Sequence, residues 1–316
     1  MKKINLTKLL FTAIDKAFYI PQNPRLVERN LKKVKCIANI PYSEQYPEMA
    51  LDLYFLPRSG KYPVVMEIHG GGFSAGDKKY RRCFCRYVAQ YTGAMVVNVN
   101  YGVGEKYACP QPMQQLAQAV NWVARNADKY GMDLSRFVVT GDSAGAYYSA
   151  FLCVLQDSEY LQRLFESALE TRFSAAVLNC GIYDMHKALN KKSPLINGVC
   201  REFTGLSIDE VVHSPYFDGL SVNPFVTENF PPTLLIYSKT DVFCKGQGED
   251  LHNLLCQKGV EVHDVCARSI LDNHVYSLMW ITNMARQTNK KILCYLNEHF
   301  YGRETENWQT LQEPST

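Results

Sequence analysis

The chain has 316 residues, 47% of them hydrophobic and 21% charged, with a formal net charge of +3. That length can bury a sizeable core, as one large α/β domain or two small ones, and the balance of residues is that of a soluble globule. So small a charge, with no long basic run, gives no footprint for nucleic acid, and Lys32-Lys33-x-Lys35 reads as a solvated face.

In chain order, the first pattern is a stripe of Leu6, Leu10, Phe11, Ile14 and Phe18, read as a helix packed on the body, with membrane-surface binding as the rival reading. The apolar stretch from Leu9 to Ile14 stops at Asp15 and has no small-residue cleavage site after it, so it is not a signal peptide. Met49, Leu51, Leu53 and Phe55 alternate with polar or smaller residues, as in a half-exposed antiparallel strand. Val64 to Ile68 and Ala94 to Val99 are continuous apolar runs, as in buried parallel strands. Met113, Leu116, Ala117, Val120, Val123 and Ala124 make one helical stripe that ends near Gly131. Strands are expected at Phe137 to Thr140, Ala175 to Leu178, Thr233 to Tyr237 and Val260 to Cys266, with helices at Ala146 to Leu155 and Gly248 to Lys258. Strands and helices alternate, which predicts a mostly parallel, doubly wound α/β sheet. Residues 1–40 and 185–226 fall outside this rhythm and are assigned to a small helical cap on a single domain spanning 1–316. Residues 303–316 are expected to be a mobile tail. No run approaches the roughly 18 apolar residues of a membrane span. The 11 cysteines are scattered, without a Cys-x-x-Cys pair, which fits reduced thiols in a cytoplasmic protein and no metal site.

The chemistry lies where strands end. Val138-Val139-Thr140 runs into Gly141-Asp142-Ser143-Ala144-Gly145 and a helix-compatible segment. That order suits a nucleophile elbow, in which a serine stands on a sharp strand-to-helix turn beside an amide-rich helix N-terminus. Upstream, Val64 to Ile68 leads into His69-Gly70-Gly71-Gly72-Phe73. Consecutive glycines cost chain entropy unless the backbone has a task, here aiming N–H groups at an oxyanion. Gly71 and Gly72 are the expected donors, with Ala144 behind the serine as the third. No Gly-Lys-Ser/Thr follows, so the loop is not a P-loop. An acid and a base should come later in the chain. Asp241 stands just past the strand Thr233 to Tyr237, with capping of the next helix as its alternative role. His274 lies in a loop that opens a helix and fits the general base, while the rival His263 sits within a strand pattern. His186 is a weaker candidate, and His213, His252 and His299 have no such context. Glu67 puts a carboxylate in an apolar strand, which is expensive unless paired.

The Gly-Asp-Ser-Ala-Gly and His-Gly-Gly-Gly-Phe motifs together resemble the hormone-sensitive-lipase-like esterase/lipase branch of the α/β-hydrolases, the group that includes bacterial acetyl esterases. The resemblance covers roughly residues 45–300. It implies an α/β-hydrolase fold with about eight strands, a Ser143–Asp241–His274 triad, and an oxyanion hole at Gly71, Gly72 and Ala144, with Gly70 in the same glycine run. Tyr101 matches a tyrosine, and Asp184 an acidic residue, of the family pattern. The residues after Tyr101 depart from it, Gly102 standing for arginine, and Ala146 and Tyr147 replace smaller or amide residues. Those departures bear on the pocket, for which Phe73, Tyr147 and Tyr148 are the expected lining. The function implied is a serine carboxylesterase acting on short-chain, acetyl-like esters through an acyl-enzyme, with no cofactor and a small-molecule ester as partner. An amidase, formamidase or peptidase on the same triad, a carbohydrate acetylesterase and a non-catalytic receptor are the alternatives, and a homodimer is the one assembly left open.

Overall fold

The computed structural model describes residues 5–20, 31, 33–190 and 193–302; the expected tail at 303–316 lies outside them. Strands β1 (Lys35–Pro41), β2 (Ala50–Phe55), β3 (Tyr62–Ile68), β4 (Met95–Val99), β5 (Met132–Asp142), β6 (Ala175–Asn179), β7 (Thr233–Ser238) and β8 (Val262–Ala267) form one 8-stranded sheet in the order β1-β2-β4-β3-β5-β6-β7-β8. β2 runs antiparallel to both of its neighbours, β1 and β4, and the other neighbouring strands pair in parallel. The interior strands are apolar because helices cover both faces: β3, β4 and β6 are buried along their whole length.

One face of the sheet carries α2 (Arg82–Thr92) and α10 (Asn283–Tyr301), whose apolar sides join Val65, Val96, Val138, Val177 and Leu234 in one core cluster. The other face carries α3 (Gln111–Tyr130), α4 (Ala144–Leu155) and α9 (Gln247–Gln257), around Val64, Met66, Val97 and Val139. Gly131 ends α3 in the left-handed conformation, as the sequence predicts. A short helix, α5 (Glu159–Leu164), follows α4. The segment after β6 contains α6 (Met185–Leu189), α7 (Pro194–Thr204) and α8 (Ile208–Val211). It is more helical than its Ser- and Pro-punctuated sequence suggests, because Ser193 and Pro194 start α7 rather than interrupt it. The N-terminal helix α1 (Leu6–Tyr19) packs on α7 and across the end of the sheet where the strand-end loops gather.

Three expectations change. β2 is not half-exposed: Leu51 and Leu53 enter one core, Tyr54 enters the other, and the polar Asp52 is buried on an ion pair with Lys78. An alternating pattern cannot reveal that both faces are covered when the polar member is itself paired. Residues 35–41 belong to the sheet, as β1, and not to a cap. The stripe on α1 is only partly turned inward: Phe11 is buried, whereas Leu6 and Leu10 are exposed.

Candidate active site

β3, β5, β7 and β8 all point their C-terminal ends at one region, and each is followed by a loop that delivers a polar group there. At the end of β5, Ser143 has φ +53 and ψ −119, a strained conformation for a residue with a side chain, and its N–H donates to the Asn179 carbonyl at 2.8 Å. The turn is tight enough that a Cβ on Gly145 would lie 1.9 Å from the Ile68 carbonyl oxygen, so only glycine lets α4 start directly against β3. Ser143 Oγ is 2.8 Å from His274 Nε2. On the other side of the ring, His274 Nδ1 donates to Asp241, at 2.9 Å from Oδ2 and 3.1 Å from Oδ1.

Asp241 does not cap α9, which is capped by Gly246 instead. Its Oδ1 accepts the N–H groups of Phe243 and Cys244, each at 2.8 Å. Burial alone would raise the Asp241 carboxyl, but the hydrogen bonds from His274, Cys244 and Phe243 outweigh it and hold the group below the ordinary carboxylate range. A lasting anion beside Nδ1–H fixes the tautomer that leaves Nε2 free to accept the serine proton. Asn273 stitches the two loops together: its Oδ1 accepts from the N–H of Val242, and its Nδ2 donates to the Thr240 carbonyl. The rival histidines stand elsewhere. His263 is exposed on β8 beside Glu261, His186 reaches the Phe217 carbonyl, and His299 pairs with Ser174.

Gly71 and Gly72 line the cavity that holds Ser143 and His274. Gly71 has φ +135 and its carbonyl accepts the N–H groups of Ser74 and Ala75, which curls the loop under itself. Ala144 opens α4, so its N–H is one of the unpaired donors of a helix start. His69 stacks on Tyr101 with ring centroids 4.4 Å apart, and the Tyr101 hydroxyl donates to the His69 carbonyl. Burial pushes His69 down to about 4, so it stays neutral and serves as packing beneath the loop. Asp184 caps α6.

Residues not foreseen from sequence tie these parts together. Asp142, inside the elbow motif, makes a two-point pair with the Arg81 guanidinium, with Nη2 to Oδ2 at 2.7 Å, and accepts the Gly70 N–H at 3.2 Å. One carboxylate thus fixes the glycine loop to the serine turn. No local pattern announces Arg81, which lies 61 positions away. Asp15 of α1 comes within 3.6 Å of the same guanidinium. Burial, aided by the neighbouring Asp142, raises Asp15 from 3.8 to about 6 despite Arg81. The folded protein therefore holds this proton more tightly than the unfolded chain. The ionised carboxylate costs stability, progressively from pH 4 and fully above pH 6. Asp15→Asn should raise stability at pH 8 by about 1–3 kcal/mol and change it little at pH 4. Denaturant midpoints at the two pH values test this, and a variant less stable at pH 8 would contradict it.

The expected pocket lining is corrected. Phe73, Tyr147 and Tyr148 do not line the cavity at Ser143 but pack with Phe203 into a buried aromatic block, with Phe73–Phe203 centroids 4.4 Å apart. The Tyr147 hydroxyl donates to the Leu220 carbonyl, which turns the ring away from the serine. The apolar lining comes instead from Phe11, Ile14 and Phe18 of α1, with Phe243 and Val275 from the loops of Asp241 and His274. The cavity is about 20 Å³, the size of a single water. Phe11 presses on the glycine loop: a Cβ on Gly72 would lie 2.4 Å from its ring. Glu67 is buried, with no ion pair to it among the described residues, and burial lifts its carboxyl well above the ordinary range. Cys180 comes within 4.8 Å of the facing atoms of Asp241 and His274, and all three are buried.

The BD-FAE family model matches residues 51–255, and the chain belongs to that family of α/β-hydrolases, on the hormone-sensitive-lipase-like esterase branch. Among curated relatives, the chain is 26% identical to Esterase LipQ of Mycobacterium tuberculosis over 65% of this chain and 48% of that protein. It is 23% identical to the acetyl esterase of Salmonella typhi over 44% and 40%. The aligned part spans no more than about half the length of these relatives. An inhibited esterase B from Lactobacillus rhamnosis superposes with a TM-score of 0.78 at 24% identity, covering 92% of this chain and 93% of that one. A Pyrobaculum calidifontis esterase superposes with a TM-score of 0.71 at 22% identity over 91% and 92%. These likenesses establish the fold, the α/β-hydrolase architecture expected from the two motifs. Among the described residues, no helix is long and apolar enough to cross a membrane.

Proposed function

We propose that the protein is a serine carboxylesterase that hydrolyses short-chain acyl esters through an acyl-enzyme. The observation that carries this reading is the unbroken chain Ser143 Oγ–His274 Nε2, Nδ1–Asp241 with links of 2.8 and 2.9 Å, opening on a cavity that Gly71 and Gly72 also line. His274 takes the serine proton as Oγ attacks the ester carbonyl, and Asp241 stabilises the imidazolium. N–H groups of Gly71, Gly72 and Ala144 meet the oxyanion. His274 then returns the proton to the leaving alcohol, and water releases the acyl group by the reverse sequence. None of these steps calls for a metal or organic cofactor.

The small acyl preference rests on bulk. Phe11, Ile14, Phe18, Phe243 and Val275 crowd the serine, and the aromatic block of Phe73, Tyr147, Tyr148 and Phe203 fills the space beneath the glycine loop. A pocket gains only about 1–3 kcal/mol per methylene that fits and loses by overpacking when one does not. Nitrophenyl acetate to butyrate should be preferred over acyl chains of about eight carbons or more. A kcat/KM that keeps rising from butyrate to decanoate would overturn the short-chain part of the reading. The acetyl esterase among the relatives, and an esterase B neighbour inhibited by a tributyrin phosphonate, support small acyl groups. The amide alternatives are separated by the same panel run with anilides. We assign α1 and residues 185–226 to a cap, α1 resting on α7 through Thr7 at Gly198 and through the Asn5–Glu202 hydrogen bond. The 11 scattered cysteines, without a Cys-x-x-Cys pair, support a cytoplasmic location.

A further inference from the structure

The helix over the serine is apolar on two sides. Its inner side, Phe11, Ile14 and Phe18, lines the catalytic cavity. Its outer side is a second stripe, Leu6, Leu9, Leu10, Ala13, Ala17 and Ile20, at the spacing of one helical face, and all six are exposed. Leu6 and Ile20 are each 73% exposed and are not covered by any of the described residues. The loops carrying Asp241 and His274 add to the same region. Val242, Ile270, Leu271 and Ile281 are between 61% and 78% exposed. The loops are sewn to each other by Asn273 and by the Thr240 hydroxyl on the Ser269 carbonyl, and to α1 by the Phe11–Phe243 ring contact. Among the described residues, the other exposed large apolar side chains are Ile37, Tyr160 and Val212. Exposed apolar surface of this sort, gathered at one place, marks an interaction site.

The exposed charges on the segments that form it have one sign. On α1 and on residues 239–246 and 268–286, the exposed charged residues are Lys8, Lys16, Lys239, Lys245, Arg268 and Arg286. The acids of the same segments, Asp15, Asp241 and Asp272, are all buried. Lys239 shares its charge with Glu249, at 3.1 Å. The rim thus presents leucine and isoleucine among cations, with its negative charge withdrawn inward. We propose that this rim docks on an anionic lipid surface, with α1 lying in the headgroup layer above Ser143. Apolar side chains enter the acyl boundary while lysine and arginine meet lipid phosphates, the arrangement of an interfacial helix. A second copy of the chain would set these cations against each other. Delivery of esters dissolved in the lipid to the serine follows from such docking, and that clause rests on the esterase reading; the docking does not.

Sedimentation of the full chain with phosphatidylcholine vesicles, with and without phosphatidylglycerol, tests the proposal. Binding should require phosphatidylglycerol and weaken as salt is raised. Leu9→Ser/Leu10→Ser and Ile270→Ser/Leu271→Ser should each lower the bound fraction at least about fivefold, with circular dichroism and turnover of soluble nitrophenyl acetate unchanged. Ser143→Ala should bind vesicles as the unaltered chain does, so failure of the esterase reading and failure of docking are separate results. Absence of sedimentation, undiminished binding by the Leu9→Ser/Leu10→Ser and Ile270→Ser/Leu271→Ser variants, capture by a soluble acidic polypeptide in place of vesicles, or a dimer in solution that those two double variants abolish would each overturn the proposal.

Discussion

Ser143→Ala should lower ester hydrolysis by about four to six orders of magnitude while leaving the fold intact. The size follows from what is lost. Without Oγ there is no acyl-enzyme, and the single long route through it must be replaced by direct attack of water. Alanine is tolerated structurally because the turn is held by its backbone: the residue's N–H to Asn179, the fit of Gly145 against Ile68, and the Asp142–Arg81 pair one position before it. His274→Ala should cost about as much and Asp241→Asn somewhat less, since removing any one member of such a unit disables the rest. Turnover near the unaltered level in His274→Ala would contradict the assignment of the base.

Gly71→Ala should lower kcat by on the order of a hundredfold or more, with a smaller change in KM. The added Cβ would lie 2.1 Å from the Ala75 carbonyl oxygen, and φ +135 is a conformation that L side chains rarely adopt. The loop must therefore shift, taking with it the Gly71 and Gly72 N–H groups proposed to meet the oxyanion. The ester ground state leans little on those donors, so binding suffers less than chemistry. An unchanged kcat would show that the loop is not the oxyanion site.

Much of this was legible because local geometry has local signatures. Gly141, Gly145 and the run Gly70 to Gly72 announce their backbone task in composition alone, and Asp241 and His274 follow strands whose apolar runs are plain. The structure brings Ser143, Asp241 and His274 within hydrogen-bond reach, as their place at strand ends predicts. What sequence did not reveal depends on contacts between distant segments. Arg81 acquires its role only when α2 is laid beside β5, and nothing near it in sequence says so. Tyr147 and Tyr148 are expected in the pocket because they adjoin the serine, but both are taken up by the buried aromatic block with Phe73 and Phe203, whose members come from distant parts of the chain. The stripe at Phe11 identifies a packed helix, but not that its partner is the cavity at Ser143. Asp15 within that stripe, an acid on an otherwise apolar face, was the one available hint of a buried cation beneath it.

The central claim is that Ser143 is the residue that becomes acylated. The most direct measurement is to treat the protein with a fluorophosphonate and locate the adduct by mass spectrometry of its peptides. The account predicts a single modification on Ser143, formed in step with the loss of esterase activity, absent from Ser143→Ala and strongly slowed in His274→Ala. Modification at another residue that accompanies inactivation, or labelling that persists in Ser143→Ala, would contradict it.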